Sequence, residues 1–401
     1  MHRSSLILAA LGLLAACGRG EPSQAFQVDT LPSGTVVVKN PEQGLWAGAG
    51  AWRAVEDLRL GAPDGGGADV FAFPAALEAD AAGRLYVLDA QAAQVRIFEP
   101  DGTHVRSLGR QGRGPGELSQ PIGFALAPDG AVWVVDPPNR RYTVWDSTGA
   151  LRESVPRQND FAMVPWPGRF DRHGRLWDVG PGSGRAGAAP TLLRRDSPGS
   201  AAASIPLPAV PLDQFSTSKG PVASTAPVPF SPRLEWALDP EGRVWSGATG
   251  SYRLVQWEPR GDSLRITERT APPVPVSDAE RDSAVAQLKW FTDQGGQVDP
   301  SRVPRNKPAF AWVSTDDRGW VWVRPSVPGG TSGTPLDVFD PDGRYHGRVT
   351  LPIPMMEGMP LVVRGDRIYT VTVSDAGVPQ VVRYRIEGRA AAGAERKVAA
   401  R

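Results

Sequence analysis

The sequence predicts an all-β fold, a six-bladed β-propeller of four-stranded antiparallel blades whose ring is closed by an N-terminal strand. Three observations lead there. Short alternating apolar runs are separated by Gly and Asp-Gly turns, which is the period-two signal of strands and hairpins. The pattern recurs: Gly83, Gly130, Gly174, Gly242, Gly319 and Gly365 mark six units, and the shorter intervals of roughly 45 residues suit a four-stranded blade. The last unit lacks an outer strand, while a strand-like stretch without a unit of its own precedes the first.

The first unit runs from Phe73 to Gly109, with strands at Phe73–Asp80, Arg84–Asp89, Gln94–Phe98 and Val105–Leu108. The second repeats it through Pro121–Gly130, Ala131–Asp136 and Arg141–Trp145. The third is weaker, with Arg175-Leu-Trp177 and Leu192–Asp196. The fourth carries Leu234–Gly242, Arg243-Val-Trp245 and Leu254–Trp257. The fifth carries Trp312–Gly319, Trp320–Val323 and Leu336–Phe339. The sixth carries Leu361-Val-Val363, Arg367–Val371 and Val381–Ile386. The unassigned stretch Ala54–Leu60 supplies the missing strand of the sixth, which leaves no exposed sheet edge between last and first blades.

Composition agrees. The 401 residues are 41% hydrophobic and 22% charged with net charge +1, an ordinary globular balance that gives no electrostatic case for a nucleic-acid partner. The 45 Gly and 40 Pro suit a fold of many turns.

The N-terminus reads differently. A short basic start, Met1-His-Arg3, leads to the apolar run Leu6–Leu14, too short to span a bilayer, and then to Leu14-Ala-Ala-Cys17. This resembles a bacterial lipoprotein signal with its lipobox. The resemblance implies cleavage before Cys17, acylation of its thiol and attachment to a membrane; Gly18 after the cysteine implies outer-membrane sorting, facing the periplasm or the cell surface. Cys17 is the one cysteine, so no disulfide framework exists. The expected domains are a signal at 1–16, lipidated Cys17 and a tether through 34, the propeller at 35–388 and a disordered tail at 389–401, in a monomer. Thr35–Asn40 is an expected edge strand.

The first two units also resemble NHL repeats. Asp136, Asn139 and Arg141 match the family pattern in the second blade; Asp89 matches in the first, where Ala92 and Gln94 stand for the Asn and Arg. The resemblance covers Trp52 to Ile386 and is most specific in these two blades.

Two insertions break the period. Gly180–Pro232 is rich in Pro, Ala and Ser and is expected as extended loop. Pro272–Pro308 contains Ser277-Asp-Ala-Glu280, a capping-box pattern, followed by Ala284, Val285, Leu288 and Phe291 at helical spacing, which predicts one short helix on a propeller face. Recognition tends to sit on such long loops; they serve equally well as covers for the ring.

For chemistry, His104, His173 and His346 fall at turns or outer strands of different blades, so a histidine metal cluster is not expected. The Gly109–Leu118 loop is Gly-rich but joins strand to strand, with no helix N-terminus to hold a phosphate. Asp89 and Asp136 share a repeat position, as turn-forming residues do; the fourth and fifth blades offer Gly247 and Arg324 there. Trp133, Trp177, Trp245, Trp257, Trp320 and Trp322 recur on second and third strands and read as interblade packing, whereas Trp46, Trp166 and Trp290 lie outside that register.

The inner strands line a propeller's channel. Five residues before the turn glycines stand Glu78, Ala125, Arg169, Ala237 and Ser314. Glu78 and Arg169 depart from the small residues and, with Arg140 and Trp166, make a candidate polar pocket. Charges at such a place are paired or hydrated, so a ligand pocket and a structural ion pair in a wet channel both remain. No catalytic constellation is visible. The favoured function is a binding or scaffold module for an envelope protein, peptide or glycan. The alternative is a metal-dependent hydrolase or lyase, since resemblance to six-bladed propellers includes calcium-dependent lactonases and lyases with a metal in the central tunnel; calcium is the cofactor that reading requires.

Overall fold

The computed structural model describes residues 26–46, 50–61, 67–157, 163–180, 191–197, 200, 203–218, 223–259 and 261–389. Six antiparallel sheets are arranged as blades. Blade 1 consists, from inside outward, of Pro74–Ala79, Leu85–Asp89, Gln94–Phe98 and His104–Leu108. Blade 2 follows with Gly123–Leu126, Val132–Asp136, Arg141–Trp145 and Leu151–Pro156, and blade 3 with Arg169–Phe170, Leu176–Val179, Thr191–Arg195 and Ala203–Pro206. Blade 4 has Leu234–Leu238, Val244–Ala248, Arg253–Trp257 and Ser263–Arg269. Blade 5 has Phe310–Thr315, Val321–Pro325, Thr334–Phe339 and Tyr345–Leu351.

Blade 6 contains Leu361–Arg364, Arg367–Val373 and Pro379–Glu387, and its outer strand is the N-terminal Arg53–Leu60, with Leu60 opposite Val381 and Arg53 opposite Glu387. The ring closes as the sequence predicts. A lock follows the last strand. Arg389, fully buried, donates from Nη2 to Asp316 Oδ2 at 2.6 Å, and its guanidinium lies 4.9, 5.6 and 5.8 Å from the ring centroids of Trp52, Trp320 and Trp322. Arg389, expected in the tail, is thus packed into the ring; residues 390–401 lie outside the described residues, as do the expected signal and Cys17.

Burial explains the sequence pattern. The second strands of blades 1, 2 and 5 are packed on both faces and read as nearly continuous apolar runs, while the outer strand His104–Leu108 is exposed up to its last residue. Trp177, Trp245 and Trp322 fill the spaces between blades and are fully buried, which supports their reading as packing residues.

The turns between first and second strands share one device. Asp80 Oδ1 accepts from the backbone N–H of Ala82 and of Arg84, both at 2.9 Å, and Asp171, Asp239 and Asp316 do the same in blades 3, 4 and 5. Gly83 then adopts φ 83°, a left-handed conformation that glycine enters without penalty. We call the face bearing these turns the lower face. On the upper face, Asp89 accepts from the N–H groups of Ala72, Phe73 and Ala92, and Asp136 from Ser119, Gln120 and the Asn139 amide. Both carboxylates tie the incoming loop to the second strand, so the repeated aspartate is a turn residue. Arg141 caps the carbonyls of Arg113, Gly114 and Glu117; in blade 1, where Gln94 stands opposite Asp89, Arg96 does this for Ala68 and Val70. The pairing Leu234 with Ala248 and Phe310 with Pro325 puts Ala248 and Pro325 at the Asp89 position, one residue beyond Gly247 and Arg324.

Three regions differ from expectation. Gln27–Thr30 pairs with Val36–Asn40, and the latter runs parallel to Ser263–Arg269, giving blade 4 six strands. Strand Gln27–Thr30 therefore lies inside the stretch expected as tether, while Val36–Asn40, with its β-branched Val36–Val38, is the strand expected at Thr35–Asn40. The first insertion is not all loop: it supplies the outer half of blade 3 and a hairpin of Gln214–Thr217 with Ser224–Pro227. The second holds two helices, Asp278–Ala286 and Lys289–Asp293, where one was expected. The capping box of Ser277 and Glu280 forms as read. Phe215, Ala226 and Val228 of the first insertion pack with Leu288, Phe291 and Val303 of the second, so each supplies the apolar cover that the other lacks.

Candidate functional site: the central channel

All six inner strands contribute to one axial cavity of about 520 Å³. The strand register fixes what faces it. Glu78, Ala125, Arg169, Ala237, Ser314 and Val362 pair respectively with Tyr86, Trp133, Trp177, Trp245, Trp322 and Tyr369 on the second strands. Ala125 of blade 2 is buried and does not border the cavity; in the other five blades this repeat position combines an aromatic buttress with a channel residue whose identity varies. Large side chains behind it hold the inner strand rigid, and the channel residue is free to carry chemistry.

Charge occupies two levels. Near the lower end, Glu78 faces the guanidinium groups of Arg169 and Arg364. Burial pushes the Glu78 carboxyl above its ordinary value, and the two arginines counter only part of that. Glu78 keeps partial exposure to the cavity although protein surrounds it, the setting of a wet channel rather than of a dry core. Arg169 Nη1 donates to Leu238 O at 3.0 Å and Thr315 Oγ1 at 3.3 Å, both uncharged acceptors. Arg364 makes no hydrogen bond to a carboxylate among the described residues and borders both the channel and a second cavity of about 620 Å³ at the lower face, as Arg169 and Asp317 also do. Near the upper end, Glu235 is also pushed up by burial, against the pull of Arg233 and Arg324; Arg233 Nε donates to Glu235 Oε1 at 2.6 Å. Between the levels, the half-buried Trp236 and Trp312 line the wall.

Of the four residues read from the sequence, three border this cavity and one does not. Glu78 and Arg169 face it as expected. Trp166 forms part of the wall, but its indole is buried in the core and Nε1 donates to Asp178 Oδ1 at 2.6 Å. Arg140 sits exposed in the upper turn of blade 2 at φ 51°, where its carbonyl accepts from Arg157 N at 2.8 Å. It does not line the channel, because the turn between second and third strands stands radially outside the inner strands.

Sequence reasoning missed Arg233, Glu235, Trp236, Trp312 and Arg364. One signal was available for Arg364. It occupies the position held by Asp80, Asp171, Asp239 and Asp316 in other blades, so a cation replaces the turn aspartate; the two-residue turn of Gly365 and Asp366 in blade 6 needs no such cap.

A larger groove of about 1300 Å³ lies between blades 4 and 5, bordered by residues 40–46. We assign the candidate site to the channel instead, because the groove's charges are closed on themselves. Asp337 accepts from Tyr252, Tyr345, Arg269 and Arg348 at 2.7 to 3.2 Å. The residues present do not suit the calcium suggested by resemblance. Among the described residues no group of three or more His, Cys, Asp or Glu side chains gathers as a metal site, so Glu78 lacks the oxygen partners calcium needs.

Residues 77–154 match the family described as 6-bladed beta-propeller, DUF5128. A Bacteroides vulgatus member of the DUF4221 family superimposes with TM-score 0.52 at 10% identity, over 84% of this chain and 98% of that one. The chain is a six-bladed β-propeller. Two further propellers align less well. The gluconolactonase XC5397 of Xanthomonas campestris has TM-score 0.41, 16% identity and coverage of 79% and 86%. The virginiamycin B lyase of Staphylococcus aureus has TM-score 0.41, 11% identity and coverage of 84% and 99%. No curated protein matches the sequence. These likenesses concern the propeller's fold, which hosts many functions.

Proposed function

We propose that this propeller is a cell-envelope lipoprotein, anchored through Cys17, that binds a peptide, glycan or other small envelope molecule in its central channel. The observation that supports the channel is its charge arrangement: Glu78, Arg169 and Arg364 face a cavity without forming ion pairs with one another. Groups that serve only the fold are normally closed by hydrogen-bonded partners when buried. Groups that await a ligand are left open to it.

The anchor and the channel are tested separately. Cys17→Ser protein is expected to take up no radioactive fatty acid in cells, and labelling equal to wild type contradicts the anchor. For the channel, Ala237→Trp fills the cavity at the Glu78 level, where Ala237 is half-buried and lines the wall; it is expected to abolish binding of any ligand that stabilises the wild-type protein in a thermal-shift screen. A ligand that stabilises both proteins equally binds elsewhere. The hydrolase reading is checked by elemental analysis and by melting with and without EDTA. The propeller described here is expected to keep its melting temperature in EDTA, and a stoichiometric metal whose removal lowers it would revive the lactonase-like alternative.

A further inference from the structure

We propose that the floor of the channel is an anion receptor, built by Arg364 and Arg169, for a ligand that carries a carboxylate or phosphate on an aromatic or other flat apolar body. The inference rests on the channel being the ligand site and adds the ligand's chemistry.

The two arginines come from blades 6 and 3, so they approach the axis from opposite sides of the ring. Neither is closed by a carboxylate. Arg169 spends Nη1 on Leu238 O and Thr315 Oγ1, contacts that hold its side chain across the floor of blades 4 and 5. Arg364 has no hydrogen-bonded or ion-paired side chain among the described residues, and its half-buried guanidinium faces the cavity. A guanidinium presents paired N–H donors that match the two oxygens of a carboxylate or two of a phosphate, and such contacts are stronger than neutral hydrogen bonds. Arg169 is thus the positioned half of the receptor and Arg364 the open half.

Glu78 sets the sign of the site. It sits between the two cations and opposes an incoming anion, so the receptor is strongest when Glu78 is neutral. Asp317 also borders the floor, but its Oδ1 accepts from the N–H of Gly365 at 3.0 Å, which places it at the turn next to Arg364. Above the floor, Trp236 and Trp312 offer half-buried ring surface, on which a flat apolar body stacks. Anion below and ring above give the ligand an orientation.

The test uses isothermal titration calorimetry on the full-length protein in detergent with four probes: phenylacetate, phenylacetamide, phenethylamine and inorganic phosphate. The proposal expects phenylacetate to bind at millimolar concentration or below and at least tenfold more tightly than its amide. Arg364→Ala is expected to weaken phenylacetate tenfold or more, and Arg364→Lys to recover part of the loss. Glu78→Gln is expected to tighten it several-fold, a gain that a merely structural role for Glu78 would not produce. Equal binding of phenylacetate and phenylacetamide, or phenylacetate binding indifferent to Arg364→Ala, overturns the receptor. Binding of phenethylamine alone overturns it and leaves the channel as a ligand site for cations. Binding of phosphate alone, lost in Arg364→Ala, supports the anion site and contradicts the apolar body. Silence of all four probes with the wild-type protein overturns the receptor; the thermal-shift comparison with Ala237→Trp then decides the channel itself.

Discussion

Two acidic residues, Asp178 on the second strand of blade 3 and Glu78 on the inner strand of blade 1, sit in protein surroundings and behave in opposite ways. Asp178 lies between blades 2 and 3. Burial alone would raise its carboxyl, but hydrogen bonds and charge from Arg157, with help from Tyr142 and Trp166, outweigh burial and hold it below its ordinary value. Arg157 Nε and Nη2 reach its two oxygens at 2.8 and 3.1 Å, and Trp166 Nε1 at 2.6 Å. Glu78 also has arginines for neighbours, yet burial wins and its carboxyl is raised. The difference is geometry: the Asp178 partners donate to it directly, whereas Arg169 and Arg364 act on Glu78 only through space. A carboxylate closed by donors is part of the fold. One left open between cations on a cavity wall is where a ligand completes the arrangement.

The largest way to break the closed side is Asp178→Ala, which leaves Arg157 buried without its anion. Loss of one partner of a buried pair costs about 4 kcal/mol, and urea denaturation is expected to show it as a fall in midpoint at unchanged slope. Arg389→Ala attacks a second closed pair and strands Asp316 among tryptophans; it is expected to cost about 3 kcal/mol, read the same way. A melting curve unchanged by Arg389→Ala would show that closure of the ring depends on strand pairing alone. Ser277→Ala removes the N-cap of the inserted helix and is expected to cost about 1 kcal/mol. That loss stays in the insertion, visible as faster hydrogen exchange of residues 278–286 with the blades unaffected.

Glu78→Gln sharpens the comparison rather than breaking it. A carboxyl raised above its ordinary value of 4.5 binds more protons folded than unfolded. Its contribution is therefore fully present below pH 4.5 and is lost as pH rises through the raised folded value. The substitution is expected to raise the melting temperature slightly at pH 7 and to flatten its pH dependence above pH 4.5. Asp178 runs the other way: its contribution is present above its ordinary value and is lost as pH falls through the lowered one.

Legibility in the sequence follows the same division. Blades, turn glycines and closure by residues 54–60 were readable because each rests on local periodicity that six copies repeat. Trp133, Trp177 and their counterparts were readable as packing for the same reason. Glu78 and Arg169 emerged as departures from a repeat position. Arg364 did not, because blade 6 replaces the longer turn with Gly365 and Asp366 and shifts the spacing by which the positions were counted. Arg140 was misplaced because closeness in sequence to the second-strand turn says nothing about radial distance from the axis. The shared core of the insertions was hidden for a different reason. Phe215 and Phe291 are far apart in the chain, and neither stretch has an apolar face large enough to announce a partner.

The most direct test of the central contrast is a titration of the Glu78 side-chain carboxyl by carbon-13 NMR, assigned by its loss in Glu78→Gln. Glu78 is expected to titrate above 4.5 in the free protein and to shift higher still when phenylacetate occupies the floor, because an adjacent anion disfavours its ionisation. A Glu78 carboxyl that titrates below 4.5 would mean that Arg169 and Arg364 already close it, and the channel would then be a structural ion-pair network like the one around Asp178.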